Sequence, residues 1–144
     1  MTLVPDASVV LKWFFRARPD EPDTDLARDL LQAYIDGHHA LLAPPHFLAE
    51  VCAVLAREAP STMIENLRDL LELAIPVHDG PEVYARALQL STLLNHHLFD
   101  TLYHAVALEN EGAVLVTADE RYWRVAQGQG RVVRLAQWRT IRQA

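Results

Sequence analysis

The sequence contains very little lysine, cysteine and glycine, and each shortage excludes a class of protein. Lys12 is the only lysine, and no glycine-rich loop precedes a Lys-Ser or Lys-Thr pair, so the chain is not a P-loop nucleotidase. No strand is followed by the glycine-rich loop that binds dinucleotides. Cys52 is the only cysteine, so no disulfide can form within the chain, as is usual in a reducing cytoplasm.

Long apolar runs are also missing. Lys12, Glu50 and Arg57 interrupt the hydrophobic stretches before any of them reaches the roughly 18 residues that a membrane span needs. No basic segment followed by an apolar one has the form of a signal peptide. We therefore expect a cytoplasmic protein with no membrane attachment.

The charge balance is acidic, with 13 basic and 19 acidic residues and a net charge of −6. Proteins that bind nucleic acids through their overall charge are usually basic, so this composition disfavours a general nucleic-acid binder. It is compatible with an enzyme whose acidic residues hold metal, because two divalent ions would bring the sum to about −2.

Short apolar segments alternate with amphipathic ones along the chain. Strands are predicted at Thr2–Pro5, Ala40–Ala43, Ile75–Val77, Ala113–Thr117 and Arg131–Leu135, the third near a sheet edge because it contains a proline. Helices are predicted over 7–15, 25–36, from Pro44 towards Pro60, after Ser61, over 81–94, from Phe99 towards Gly112 and over 122–126, with a helix or tail from Trp138. The alternation predicts a single α/β domain over residues 1–144, with helices on both faces of a parallel sheet of about five strands.

The helical period also predicts which side chains are buried. The helix after Ser61 is expected to bury Ile64, Leu67, Leu71 and Ala74. The helix from Phe99 is expected to bury Phe99, Leu102, Tyr103, Val106 and Ala107. His38 and His39 follow Gly37 in a loop and are expected to be solvated.

Four acidic residues stand where an α/β protein forms its ligand site. Asp6 and Asp119 follow two of the predicted strands, and ligands of such folds bind at the carboxyl ends of strands. Glu50 borders a buried helical face, and Asp100 lies in a first helical turn. Converging carboxylates repel one another unless a cation joins them, and Mg²⁺ or Mn²⁺ prefers oxygen ligands. The predicted chemistry is metal-assisted hydrolysis of a phosphodiester.

Each of these acids also has an ordinary structural explanation. Asp6 could serve only as the N-cap of the helix that follows it. Glu50 could form a salt bridge with Arg57, two helical turns further along the same face.

Two histidines near Asp100 leave further alternatives open. His104 lies four residues after Asp100, where it is either a proton shuttle or a plain helix-surface residue. His96, Asp100 and His104 would form a transition-metal site only if the helix extended back through Asn95.

Four segments resemble the motifs of PIN-domain ribonucleases, particularly VapC-type toxins of bacterial toxin–antitoxin pairs. In chain order they are Val4-Pro5-Asp6-Ala7-Ser8-Val9-Val10-Leu11-Lys12-Trp13, Phe47-Leu48-Ala49-Glu50-Val51, Phe99-Asp100-Thr101-Leu102-Tyr103-His104-Ala105-Val106-Ala107 and Leu115-Val116-Thr117-Ala118-Asp119. Each motif alone is weakly specific. Their occurrence in the family's order over nearly the whole chain makes the resemblance strong.

The resemblance implies a three-layer α/β/α sandwich and Mg²⁺- or Mn²⁺-dependent cleavage of structured RNA, such as tRNA or ribosomal RNA. It implies an antitoxin that blocks the acidic pocket, and a homodimer, for which the apolar helices around Pro60 are candidate surfaces. By this resemblance Asp6, Glu50, Asp100 and Asp119 form the catalytic and metal-binding site, supported by Ser8 and Thr117. Basic residues near those acids are candidates for holding RNA phosphates: Lys12, Arg16, Arg18, Arg121 and Arg124.

Two positions depart from the family pattern. Ala53 stands where the family often has asparagine, and Leu98 stands where it often has serine or threonine. Loss of the asparagine would weaken the ordering of Glu50 around a metal. The alternatives to the toxin are a PIN nuclease of RNA processing or decay without an antitoxin, and a PIN-like binding module without catalysis. A phosphoryl-transfer protein of the receiver or haloacid type is disfavoured because no lysine follows Lys12.

Overall fold

The computed structural model describes residues 1–141 and contains a parallel four-stranded sheet. The strands are β1 (Thr2–Pro5), β2 (Ala40–Leu41), β3 (Ala113–Thr117) and β4 (Val132–Arg134), in the order β2-β1-β3-β4. In the central pair, Thr2 lies opposite Ala113 and Pro5 opposite Val116. The valines and leucines of β1 and β3 are mostly buried, as expected for strands covered on both faces.

Seven helices flank this sheet within the described residues. They are α1 (Ala7–Val10), α2 (Thr24–Ile35), α3 (Phe47–Glu58), α4 (Met63–Glu72), α5 (Pro81–Leu94), α6 (Leu98–Leu108) and α7 (Glu120–Ala126). Short 3₁₀ turns cover Leu11–Trp13, Gln127–Gln129 and Leu135–Thr140. Helix α6 is the central one, because every residue from Thr101 to Ala107 is buried. No helix within residues 1–141 is both long and apolar enough to cross a bilayer.

The predicted α/β sandwich with a parallel sheet is confirmed, but the strand expected at Ile75–Val77 is reduced to one bridge. Val77 pairs with Ala43, whose N–H donates to the carbonyl of Pro76 at 2.9 Å. Pro76 has no N–H to give to a longer ladder, so the pairing ends there. The helix predicted over 7–15 is α1 followed by the first 3₁₀ turn. The helix or tail predicted from Trp138 is a 3₁₀ turn through Thr140, and residues 142–144 lie outside the described residues.

Several predicted burial assignments are wrong. Ile64 and Leu71 are exposed because α4 turns only Leu70 fully into the core. Phe99 is 61% exposed, although it lies in the first turn of the most buried helix. His39 is buried, with Nε2 3.0 Å from the carbonyl of Leu30.

Candidate active site

Asp6 lies at the point where β1 ends and α1 begins. Its backbone N–H donates to the carbonyl of Val116 at 3.1 Å, which continues the link between β1 and β3. Its carboxylate accepts hydrogen bonds from the Ser8 hydroxyl and from the backbone N–H of Val9, so it caps α1. Ser8 Oγ in turn accepts from the N–H of Ala118 at 3.0 Å. The N-cap predicted as an alternative is therefore present, and the same carboxylate stands at the sheet edge.

Asp119 follows the neighbouring strand at the same edge of the sheet. Thr117 ends β3, is fully buried, and its hydroxyl lowers the pKa of the Asp6 carboxyl. The Thr117 hydroxyl oxygen also accepts from the backbone N–H of Asp119 at 3.0 Å. Asp119 caps α7, because its Oδ1 accepts from the N–H of Tyr122 at 3.1 Å. Ser8 thus ties the ends of β1 and β3 together around Asp6, while Thr117 positions Asp119.

Asp100 projects from the first turn of α6, and an imidazole holds one of its oxygens. His96 Nε2 lies 2.7 Å from Asp100 Oδ2, and the His96 side chain is only 8% exposed. The His96 ring packs edge-on against the ring of Tyr122, with centroids 4.9 Å apart. These contacts fix the orientation of Asp100 without satisfying its other carboxylate oxygen.

His104 does not join this pair. Its Nε2 donates to the carbonyl of Gly130 at 2.8 Å, and its Nδ1 accepts from the Tyr122 hydroxyl at 2.9 Å. The side chain is completely buried, which lowers the pKa of His104 and keeps the ring neutral. The prediction of a helix-surface residue is therefore wrong. The condition for a His96–Asp100–His104 transition-metal site is not met either, because α6 begins at Leu98 and His104 contacts Tyr122 and Gly130 instead.

Glu50 reaches the site from α3. Its Oε1 accepts from the Tyr103 hydroxyl at 3.0 Å, and its Oε2 lies 3.5 Å from His46 Nε2. The salt bridge with Arg57 that was the alternative for Glu50 is absent, because Arg57 is exposed and lies 3.7 Å from Glu58 instead. Glu50 is therefore oriented by a neutral phenol of α6 rather than by a cation of its own helix.

Two buried tyrosines lie beneath the acids. Burial, and then the negative charges of Glu50 and Asp6, raise the pKa of Tyr103 far above its usual value. Burial, and then the charges of Asp100 and Asp6, raise the pKa of Tyr122 as well. The charge of Asp100 also raises the pKa of Tyr103, but only Glu50 accepts a hydrogen bond from the Tyr103 hydroxyl. Both phenols stay neutral and act as hydrogen-bond donors.

The role of the two tyrosines was not predicted from the sequence. Tyr103 follows Asp100 by three residues, and Tyr122 follows Asp119 by three residues. These spacings do not identify the partners, because the Tyr103 hydroxyl donates to Glu50 and the Tyr122 hydroxyl donates to His104.

The protonation of Asp6 is strongly affected by its surroundings. Burial, with a smaller contribution from the charge of Asp100, raises the pKa of Asp6 from 3.8 to about 7. The hydrogen bonds from Ser8, Thr117 and Val9 act in the opposite direction. A carboxylate in this setting favours either a proton or a nearby cation.

The donor set fits a hydrated hard cation. Within residues 1–141, no lysine or arginine forms an ion pair with any of the four acids. The same residues contain no cluster of three or more histidine, cysteine or acidic side chains close enough to enclose a metal. Mg²⁺ does not need such a cage, because it keeps several waters and is usually held by one or two carboxylates. Asp6, Glu50, Asp100 and Asp119 are the residues that could hold it.

The basic residues that were predicted to contact RNA differ in whether their charged groups already have partners. Lys12 is buried and donates to Glu21 Oε1 at 2.9 Å and to the carbonyl of Pro22 at 2.8 Å, so its ammonium group already has partners. Arg18 lies 3.6 Å from Glu58. Arg16 and Arg124 are exposed, while Arg121 lines a cavity next to His96.

Comparison with known proteins identifies the family to which this arrangement belongs. A similar fold occurs in the crystal structure of VapBC2 from Rickettsia felis bound to a DNA fragment from their promoter, with a TM-score of 0.70. The match covers 93% of this chain and 98% of that chain at 15% sequence identity. A comparison with curated proteins gives no match. A model of the PIN domain matches residues 3–128, and the chain therefore belongs to the PIN domain family.

Proposed function

We propose that this protein is a divalent-metal-dependent endoribonuclease and the toxin of a toxin–antitoxin pair. The observation that carries the proposal is a group of carboxylates, Asp6 at the end of β1 and Glu50 and Asp100 on helices that pack nearby, none of which is paired to a lysine or arginine of the described residues. Asp119 stands at the end of the adjacent strand. Membership of the PIN domain family, whose members are generally nucleases, supports the hydrolytic assignment.

The proposed roles follow from the contacts of each side chain. Asp6, Glu50, Asp100 and Asp119 hold Mg²⁺ or Mn²⁺, which when bound activates water and stabilises charge on the phosphodiester oxygens. Ser8 fixes the carboxylate of Asp6, Thr117 positions Asp119, and Tyr103 fixes the carboxylate of Glu50. His96 holds one oxygen of Asp100 and leaves the other for the site. Ala53 is exposed on α3, so these contacts orient Glu50 without the asparagine common in the family.

The biological role is proposed from the relative with a similar fold. That relative is a VapBC2 assembly on promoter DNA. For this chain we propose a cognate antitoxin that covers the acidic site, a homodimer, and structured RNA in the cytoplasm as the substrate. A short reading frame next to this one, encoding a DNA-binding protein, would support the toxin over a PIN nuclease of RNA processing.

Replacing Asp100 with asparagine tests the proposed activity. We expect the wild-type protein to cleave total cellular RNA with Mg²⁺ or Mn²⁺ and not with EDTA. We expect D100N to lose more than about 100-fold of that activity, since loss of a ligand exceeds the effect of disturbing a residue that only orients one. Cleavage is followed on denaturing gels, and sequencing of the cut ends identifies the target.

The matched control is Asp20→Asn, which removes the same charge from an exposed loop residue. It should cleave RNA like the wild type. Equal activity of D100N and D20N, or cleavage by the wild type that persists in EDTA, would contradict the proposal. Absence of cleavage by any variant, with the fold intact and no antitoxin present, would favour a binding module without catalysis.

A further inference from the structure

A cavity of about 390 Å³ lies next to the acidic site, outside the residues assigned to the metal. It is lined by Ser91, Asn95, His96, His97, Leu98 and Arg121. These residues come from the end of α5, the turn before α6 and the first turn of α7. The volume lies within the range of small-ligand sites in proteins, which begins at roughly 300 Å³.

One side chain separates this cavity from the proposed catalytic acids. His96 lines the cavity and also lies 2.7 Å from Asp100 Oδ2. A molecule in the cavity is therefore only one imidazole ring away from the Asp100 carboxylate. The cavity is a neighbouring subsite of the same active site rather than a separate surface feature.

The wall around His96 is held in place by hydrogen bonds. The backbone N–H of His96 donates to the carbonyl of Ser91 at 3.1 Å, and the Ser91 hydroxyl donates back to the carbonyl of His96. Asn95 adopts a left-handed conformation with φ of 50°, which asparagine tolerates better than most residues and which ends α5. The turn is thus a fixed structure that forms the cavity before any ligand binds.

The lining of the cavity favours an anion. Arg121 is exposed and forms no ion pair or side-chain hydrogen bond within residues 1–141, and the His97 imidazole likewise has no hydrogen bond there. No acidic residue lines the cavity. The neighbouring Glu120 is directed to Arg134, at 3.6 Å, and does not neutralise Arg121.

We propose that this cavity binds the nucleotide next to the scissile bond of RNA, with its phosphate on Arg121 and His97. This assignment rests on the proposed nuclease function. Guanidinium groups bind phosphate through paired hydrogen bonds, an imidazole N–H can donate to the same phosphate, and the Asn95 amide can hydrogen-bond a base. An RNA strand with one phosphate at the acids would place the adjoining nucleotide against His96 and Arg121.

The test is RNA binding in EDTA, where cleavage cannot contribute. The probe is a short fluorescein-labelled single-stranded RNA of mixed sequence, followed by fluorescence anisotropy over a range of salt concentrations. We expect Arg121→Gln to weaken binding on the order of tenfold and to reduce the slope of log K against log salt by about 0.7. His97→Ala should weaken binding by a smaller factor.

The matched control is Arg68→Gln, which removes the same charge from an exposed position on α4 outside the cavity. It should bind RNA and depend on salt like the wild type. Equal behaviour of R121Q and R68Q would overturn the proposal. The proposal would also be overturned if R121Q lost as much affinity for poly-glutamate as for RNA, because that result would show a general anion site. Competition by inorganic phosphate alone, with no added effect of a nucleoside monophosphate, would likewise overturn the nucleotide assignment.

The outcome is independent of whether the protein cleaves RNA. If wild-type protein cleaves RNA with Mn²⁺ but R121Q binds normally in EDTA, the subsite is wrong and the nuclease stands. If R121Q selectively loses RNA binding while no variant cleaves RNA, the cavity binds an RNA nucleotide but the nuclease function is wrong.

Discussion

Asp6→Asn is expected to abolish RNA cleavage and, at the same time, to stabilise the metal-free protein near neutral pH. Asparagine keeps the size of the side chain and can still accept hydrogen bonds, but it cannot supply the negative charge that the proposed cation needs. Activity should fall by more than about 100-fold. The stabilisation arises because burial raises the pKa of Asp6 to about 7, so ionising it in the folded, metal-free protein is costly.

The sign of the effect defines a pH window. Between about pH 4 and pH 7 the folded protein keeps the Asp6 proton while the unfolded chain loses it, because the pKa rises from 3.8 to about 7 on folding. The free energy of unfolding contributed by Asp6 therefore decreases as the pH rises through this window and is constant above it. The difference between D6N and wild type should grow over the same window, with an upper limit of about 4 kcal/mol.

Urea unfolding of wild type, D6N and D20N at several pH values, in EDTA, measures this difference. Comparison of variants cancels the contribution of His104, whose lowered pKa gives the opposite pH dependence in both proteins. D20N should follow the wild type at every pH. An Asp6→Asn protein that is less stable than wild type at pH 8, or that cleaves RNA normally, would contradict the assignment of Asp6 as a site carboxylate with a raised pKa.

His104→Ala is expected to cause the largest loss of stability among the substitutions considered. The side chain is completely buried and bridges the Tyr122 hydroxyl to the carbonyl of Gly130. Alanine would leave a cavity and two polar groups without partners, at a cost of about 3 kcal/mol. Thermal or urea unfolding at pH 7.5 measures it, and His38→Ala, at an exposed position, should have almost no effect.

The same variant distinguishes the two roles open to His104. A structural residue lowers stability and leaves the pH dependence of cleavage unchanged in the folded fraction. A proton shuttle would change the shape of the pH profile with little loss of stability. A changed pH profile with little loss of stability would contradict the structure, in which the neutral His104 ring forms two hydrogen bonds and contacts Tyr122.

The main features of the fold were predictable because they depend on local pattern. The Val-rich segments before Asp6 and Asp119 are too short for helices and have no polar face, so they indicate central parallel strands. Once the strands are parallel, the residues that follow them meet at one edge. The local pattern did not decide whether Ile75–Val77 forms a strand, because a three-residue segment that contains a proline can form few ladder hydrogen bonds.

Side-chain partners were harder to predict, because they depend on contacts between distant segments. Glu50 has an arginine two turns away in sequence, yet its partner is Tyr103 on another helix. Lys12 lies six residues from Asp6, yet it turns to Glu21 and is buried. His104 has the spacing of an Asp100 partner, yet a helix that is buried on nearly all sides gives it other neighbours. Helical period alone does not reveal such all-round burial.

The most direct test of the metal site is a Mn²⁺ titration of the pure protein, with free Mn²⁺ counted by electron paramagnetic resonance. We expect that wild type and D20N bind Mn²⁺, that Mg²⁺ competes, and that D6N and D100N lose this binding while remaining folded. Binding should also weaken below pH 7, because a cation must displace the proton favoured at Asp6. Undiminished Mn²⁺ binding by both D6N and D100N, or no binding by the wild type, would contradict a cation held by these carboxylates.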